Sequence, residues 1–576
     1  MRGHVVVLVA LGGLLCASVP ARVVDAAESE AGPPTATAAD VRFTPHQTLR
    51  YGSARDAGLI PEHIAAIAPD VSGFLSSSPP MYAGAVVLAA HRGTIVTHQA
   101  RGHALRYSSY DEATGEAAEL PRERWVPMRR DTVFDVASVS KLFTSIAAVQ
   151  QAERGRLDLD AAVADYIPRF AQNGKGDITV RQLLTHTSGL PEWLPLYSDY
   201  PTPEARIAAV YAVEPAAPAG DRYLYSDLNM ITLGKLVEKV TGHRLDDAVA
   251  RGITGPLGMT DTGYRPPDSE RHRIAATEYQ PWTGRGMVRG EVHDENAWSL
   301  EGVAGHAGVF STARDLAVLA QTVLNGGRYG DARILDERSV RLLLTDFNEE
   351  FPGDNHGLGF ELAQRWYMDA LASPVTAGHT GYTGTSLVLD PLSHSFAVLL
   401  TNRVHPTREW GSNNPARRAV ARDLARALPV RPRDGRTAWF SGMVDDRTVT
   451  LTLPLPDRSS GGRATFDLWY DTEAESDVGT VQARVDGEWQ PVPLSLRTGR
   501  YRWRTDGTFS GFQGRRWLRA QAGLPAGVTA LRWRYTTDAL YQGRGVYVDG
   551  VRVFDAHGGP IDADGFRSDG WTRSGD

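Results

Sequence analysis

The spacing of apolar positions changes several times along the chain, and each change marks an element. Gly84 to Ala90 reads GAVVLAA, a continuous run of small and β-branched residues. The turn signal His91-Arg92-Gly93 follows, and Thr94 to Thr97 starts a second run, so the pattern predicts a hairpin. From Leu142 the spacing becomes helical. Leu142, Phe143, Ile146, Ala147 and Val149 share a face, and the pattern stops at Gly155. A second helix is predicted through Met230, Leu233, Val237 and Val240, closed by Gly242. A third opens on Thr312 with Asp315 in capping-box spacing and ends at Asn325-Gly326-Gly327. Ser386 to Leu389 (SLVL) and Phe396 to Leu400 (FAVLL) return to strand character. Strands at both ends with helices between them predict one α/β unit whose sheet joins the two ends.

Helical periodicity disappears after about residue 430. Pro429, Pro432 and Asp434-Gly435 predict a linker over 430–437. Beyond it run short alternating stretches such as Thr448 to Leu453 (TVTLTL) and Ala530 to Tyr535 (ALRWRY). Seven of the 13 tryptophans fall there, which predicts an antiparallel β-sandwich over 438–576. At the other end, Arg2, the apolar stretch Val5 to Ser18 and the small residues near Ala21 and Ala26 predict a signal peptide over 1–26. Residues 27–45, rich in Ala, Thr, Pro and Glu, are expected to be disordered. The α/β unit then spans 46–429.

Composition narrows the function classes. Across 576 residues, 42% are hydrophobic and 22% charged, as in ordinary globular proteins. The net charge of −7 argues against a nucleic-acid partner or an anionic membrane surface. Cys16 is the only cysteine; once the signal is cleaved, disulfides and thiolate metal sites are excluded. No later apolar run approaches a membrane span, so a secreted protein is expected.

Only four lysines occur in the chain, and Lys141 follows Ser138 by three residues, nearly one helical turn. A hydroxyl and an amine held on one face form a nucleophile and its candidate base, provided the amine is neutral. A serine at a helix N-terminus also presents a backbone N–H and the helix dipole to an oxyanion. Further motifs follow in order: Leu183-Leu184-Thr185-His186-Thr187-Ser188-Gly189, Tyr225-Ser226-Asp227, Pro256-Leu257-Gly258-Met259 and His379-Thr380-Gly381.

Taken together, these motifs resemble the serine β-lactamase-like superfamily: class C β-lactamases, penicillin-binding D,D-peptidases, and related esterases and D-amino-acid amidases. The resemblance covers about residues 50 to 428. It implies an antiparallel sheet flanked by helices with an all-helical lobe, and a reaction through an acyl-enzyme on Ser138 with Lys141 as base. It also implies that Tyr225 is a second proton carrier, that Asp227, His379, Thr380 and Gly381 contact substrate, and that the Tyr382 backbone N–H is the second oxyanion donor. No cofactor and no metal are implied.

Two positions depart from the β-lactamase pattern. His379 stands where β-lactamases have lysine, which favours the D,D-peptidase or amidase/esterase branch over a class C-like β-lactamase. Asp227 replaces an asparagine; a carboxylate only accepts hydrogen bonds and, paired with Lys141, would oppose its action as a base. That pairing motivates a further alternative, a non-catalytic penicillin or peptidoglycan receptor. The decoy triplet at His186 precedes a proline-bearing loop rather than a strand and is read as structural. The segments Val292 to Ala297 and Gly305 to Gly308 are polar and histidine-bearing, compatible with a structural loop, a substrate contact or a metal site. The C-terminal region resembles the accessory modules of immune-inhibitor-A-type secreted proteases. In it, Asp471, Glu473 and Asp549 could supply oxygen ligands, and exposed tryptophans would contact glycan. The expected partner of the catalytic unit is a small-molecule or cell-wall peptide acyl substrate.

Overall fold

The central sheet follows from strands buried on both faces. The computed structural model describes residues 33–456, 461–563 and 565–576, so the signal peptide expected over 1–26 lies outside the described residues. The sheet contains β1 (Arg50–Tyr51), β2 (Gly84–His91), β3 (Thr94–Leu105), β4 (Glu361–Leu362), β5 (Ala377–Thr380), β6 (Ser386–Asp390) and β7 (Ser395–Thr401). Its spatial order is β1-β3-β2-β7-β6-β5-β4. All these pairings are antiparallel except the short β1–β3 contact. Neighbours β2 and β7 come from opposite ends of the unit, so the sheet closes the domain, as the spacing predicted. The β2–β3 hairpin turns through Arg92 (φ 47°) and Gly93 (φ 76°), the two positive φ values that match the twist of the strands.

Alternation along β2 and β7 feeds two cores. Val86, Leu88, Ala90, Phe396, Val398 and Leu400 face a large core with the central helices. Ala85, Val87, Ala89, Ala397 and Leu399 face a second core formed with the helices α1 (Pro61–Gly73) and α5 (Asn414–Ala427). That is why GAVVLAA lacks polar positions. The helices α2 (Ser140–Glu153), α3 (Asp227–Thr241) and α4 (Ala313–Leu324) lie where periodicity placed them. Gly242 ends α3 in the left-handed conformation at φ 71°. Only half of the expected capping box forms on α4. The Thr312 side chain accepts from Asp315 N–H, whereas the Asp315 carboxylate accepts from Asp261 N–H and Thr262.

The expectation of disorder over 27–45 fails for its described part. Ala36, Ala38 and Val41 are buried in the large core, and Phe43 packs against it under the Arg341 guanidinium. Arg341 also donates to the Ala38 and Val41 carbonyls. Composition underrated the segment because a few small apolar residues suffice when a preformed surface receives them.

Beyond 437 the chain forms two antiparallel sheets over one apolar core. One sheet is built around Gly462–Asp471, Leu518–Leu524 and Gly545–Asp555, the other around Thr448–Pro454, Val478–Val485 and Val528–Thr536. Trp469, Trp503, Trp533 and Trp571 are buried. Arginines cover two of the others: Arg532 lies over Trp489 and Arg573 over Trp439. Trp517 donates to the Arg431 carbonyl. No tryptophan of this unit stands among the strongly exposed large side chains of the described residues. No helix among the described residues is long and apolar enough to cross a membrane.

Candidate active site

Two short strands deliver the nucleophile. Phe134–Asp135 pairs with Val309–Ser311, placing Asp135 opposite Phe310. Asp135 is buried; its Oδ1 accepts from Ala137 N–H at 2.8 Å and its Oδ2 from His293 N–H at 2.6 Å. The first bond holds Ala137 at φ 47°, a left-handed conformation that costs a non-glycine residue about 1 kcal/mol or more. The chain then enters the 3₁₀ turn Ala137–Val139 and α2. This bend sets Ser138 at the mouth of a cavity of about 660 Å³. Lys141, 1% exposed, sits one turn on and donates from Nζ to Ser138 Oγ at 2.8 Å.

Tyr225 and Asp227 arrive from the start of α3, where Ser226 is the N-cap. Asp227 Oδ1 lies 2.8 Å from Lys141 Nζ, an ion pair approached off the hydrogen-bonding axis. The Tyr225 hydroxyl interacts with both Lys141 and Ser138. Burial favours a neutral lysine, but the Asp227 charge and the Tyr225 hydroxyl outweigh it, so the Lys141 pKa is raised. Burial raises the pKa of the Tyr225 phenol, against the pull of Lys141. His186 supports this group from behind. Its Nδ1 accepts from Ser226 N–H at 3.0 Å, and its ring lies 4.7 Å from that of Tyr225.

The loops at 292–297 and 305–308 also converge here, a proximity that spacing could not reveal. His306 Nε2 and Asp294 Oδ1 are 2.7 Å apart, and the His306 carbonyl accepts from Lys141 Nζ at 3.2 Å. Burial works against the His306 cation, but Asp294 and Asp227 overcome it and raise its pKa. Lys141, Asp227, His306 and Asp294 thus form a run of neighbouring titratable groups. Asp227, Asp294 and His306 each bring one donor atom within 4.8 Å of the others, a spacing that can hold a cation. The Lys141 ammonium on Asp227 already supplies positive charge at that point.

On the opposite wall, β5 carries Ala377 to Thr380, with His379 opposite Leu387 of β6. Gly381 is obligatory by contact: a Cβ there would lie 2.1 Å from Thr385 Oγ1 and 2.3 Å from the Val136 carbonyl oxygen. Thr383 and Thr385 donate to the Asp135 and Val136 carbonyls, stitching this wall to the Ser138 bend. The Tyr382 side chain is 51% exposed and stacks on His293 at 5.8 Å, with Arg403 and Arg408 over its ring. Among the described residues no backbone carbonyl accepts the Tyr382 N–H.

Glu278 anchors that arrangement. It is 1% exposed, contacts His293 Nε2 at 2.8 Å and takes a forked pair of bonds from Arg408. Burial alone would raise its pKa; His293 and Arg408 outweigh burial and hold it at about 2. Because the folded value lies below the ordinary one, the stabilisation is complete above about pH 4.5 and is lost as pH falls toward 2. Glu278→Gln is expected to cost about 3 kcal/mol at pH 7 and to flatten the acid limb of stability between those values. Thermal unfolding of both proteins from pH 7 to pH 2.5 checks it.

The cavity is lined by Ser138, Tyr223, Tyr225, His379, Thr380, Gly381 and Tyr382, together with His356, Glu361, Arg403 and Arg417. Asp227 approaches Ser138 through Lys141. The sequence did not mark Asp135, His356, Glu361, Arg403 or Arg417.

Comparison with known proteins identifies the family and fold of the α/β unit. A family model described as Beta-lactamase matches residues 79–422. A protein of Escherichia coli (strain K12) named "Putative D-alanyl-D-alanine carboxypeptidase" is 35% identical over 330 residues, 51% of this chain and 74% of its own. A protein of the same name from Salmonella schwarzengrund (strain CVM19633) is 33% identical over 318 residues, 48% of this chain and 70% of its own. Two solved structures share the fold. A penicillin-binding protein homolog from Caulobacter crescentus has a TM-score of 0.50 at 22% identity, covering 64% of this chain and 99% of its own. A class C beta-lactamase has a TM-score of 0.50 at 21% identity, covering 64% and 97%.

Proposed function

The chain belongs to the beta-lactamase family, and from that premise we propose that it is a secreted serine hydrolase working through an acyl-enzyme on Ser138. The observation that carries the proposal is the contact of Lys141 Nζ with Ser138 Oγ at 2.8 Å, at the mouth of a cavity walled by Tyr225 and the His379-Thr380-Gly381 strand. In the fraction of molecules whose Lys141 is neutral, Ser138 attacks an ester or amide carbonyl, Lys141 and Tyr225 pass its proton to the leaving group, and water releases the acyl group. The Ser138 and Tyr382 N–H groups stabilise the oxyanion. Among substrates, we favour cell-wall-type D,D-peptides and D-amino-acid amides or esters over β-lactams. The relatives' names support this choice, as does His379 in the strand position where β-lactamases carry lysine. Release of D-alanine from a D-alanyl-D-alanine peptide, assayed beside D-amino-acid anilides, acyl esters and a penicillin, tests it. Turnover of the penicillin alone would replace the reading with that of a β-lactamase.

The Lys141–Asp227 ion pair favours one other reading, a receptor that is acylated and then holds the adduct. Asp227→Asn decides how much that pair restrains catalysis. Removing the carboxylate lowers the Lys141 pKa and so enlarges its neutral fraction at a given pH. The rising limb of the kcat/KM profile is expected to move about 1–3 pH units lower. An unmoved limb would show that the Lys141 proton does not control the rate.

A further inference from the structure

The wall of the cavity away from Lys141 carries hydrogen-bond acceptors that the protein leaves unused. His356 is 1% exposed and His379 2% exposed. Each ring binds a backbone carbonyl through Nδ1, His356 to Gly357 O and His379 to Thr380 O, both at 2.7 Å. A carbonyl only accepts, so each Nδ1 carries the proton and each Nε2 is a bare acceptor. Neither Nε2 has a protein partner; the buried Glu361 Oε2 has none in hydrogen-bonding geometry, although the Tyr367 hydroxyl, itself unpartnered, lies close enough to act on the carboxyl. The backbone groups them. His356 and Glu361 face each other in an isolated bridge, and Glu361 sits opposite Gly378, the residue before His379. All three line the cavity that opens at Ser138.

Buried acceptors without donors are costly, and a site retains them when a ligand brings the donors. We propose that this wall is a subsite for a protonated amine on the acyl side of the substrate, held by Glu361, His356 and His379. An ammonium offers three donors and no acceptor, and the Glu361 carboxylate, with Asp354 at the same cavity, favours its charge. Lys141 is paired with Asp227. Arg417 donates from its terminal nitrogens to the Gly381 and Thr385 carbonyls and Asn414 Oδ1, with Nε unpartnered, and Arg403 donates to the Tyr382, Arg408 and Gly411 carbonyls, so both guanidiniums keep their charge at this wall and the Glu361 carboxylate must outweigh them. Burial raises the Glu361 pKa to about 7, against the Tyr367 hydroxyl, Arg417 and Lys141. An arriving ammonium replaces the missing partner of the ionised form. Burial holds His356 and His379 at about 4 and about 3, so both stay neutral acceptors at pH 7.

The inference rests on the acyl-hydrolase reading and names its substrate class. The test compares pairs with and without an amine: D-alanyl against D-lactyl p-nitroanilide, and Nα-acetyl-D-lysyl against Nα-acetyl-D-norleucyl p-nitroanilide. At least one amine-bearing member should be preferred by about 10- to 100-fold in kcat/KM. Glu361→Gln should bring the rate ratio within the preferred pair close to one, whatever it does to the absolute rates. Equal rates within both pairs, or an amine preference that survives Glu361→Gln, would overturn the subsite. If no anilide is turned over, the pairs are not ranked by rate, and the catalytic reading fails only when D-alanyl peptides and acyl esters are inert as well. Calorimetric binding of the same four compounds to Ser138→Ala then decides the subsite alone: tighter binding of an amine upholds it, and equal binding rejects it.

Discussion

Ser138→Ala is expected to abolish covalent adduct formation and to lower hydrolysis of every acyl substrate by at least about 10³-fold, with the fold intact. The size follows from the division of labour at the site. Ser138 Oγ accepts from Lys141 Nζ at 2.8 Å, and water in the cavity lacks that fixed geometry. Without the side chain, the backbone N–H groups can still polarise a carbonyl, which leaves the residual rate typical of a site that has lost its nucleophile. The substitution removes one oxygen at a surface-facing position of the 3₁₀ turn, so the thermal midpoint should change little. Intact mass during incubation with a penicillin and with an acyl ester reads the adduct directly. An adduct of equal mass on the Ser138→Ala protein would place the nucleophile elsewhere.

The local geometry of that site was legible because it is encoded by short spacings. Ser138 and Lys141 are one turn apart, Tyr225 and Asp227 flank a helix cap, and His379 to Gly381 end a strand. Each relation survives in sequence because a single element enforces it. His186 was separable from His379 by the same logic, since a loop follows one and a strand carries the other. The run of titratable groups through Asp294 and His306 was not legible as a run. Its members lie on separate loops, and only the packing of α2 against α3 brings those loops to Lys141. The acceptor wall was hidden for a related reason. His356 and Glu361 look like ordinary polar residues of a loop until β4 joins the sheet edge beside β5. The packed N-terminal segment shows the reverse error, where polar composition concealed Ala36, Ala38, Val41 and Phe43 as a docking strip. The fold was clearer than the site because sheet and helix periods repeat, whereas contacts between distant loops occur once.

Several arginines tie the C-terminal unit to the catalytic unit, Arg365 and Arg544 among them, and removal of the buried Arg515 should have the largest effect on stability. Arg515 pairs with Asp390, the last residue of β6, and with Asp471 of the strand Gly462–Asp471 at 2.9 Å. It also donates to the Leu371 and Ala372 carbonyls at 2.9 and 3.1 Å. Both carboxylate side chains are fully buried, and Arg515 is 8% exposed. Burial opposes the guanidinium charge, but the two aspartates overcome it and raise the Arg515 pKa. Arg515→Ala leaves two buried carboxylates without their shared cation, a loss of about 3–5 kcal/mol. Calorimetry should show a lower midpoint and a separation of the two units' transitions. The cost lies in the stranded charges rather than in the missing contacts. Combining Arg515→Met with Asp390→Asn and Asp471→Asn should therefore recover most of the loss, a non-additivity expected of residues in one network. Catalysis should report the same separation. Asp390 ends β6 at the edge opposite Ser386, the residue that pairs with Thr380 at the cleft. At temperatures where the catalytic unit stays folded, Arg515→Ala should leave kcat/KM within about twofold of the wild type. A large loss of activity without a shift in the midpoint would mean that the clamp sets the cleft rather than the junction.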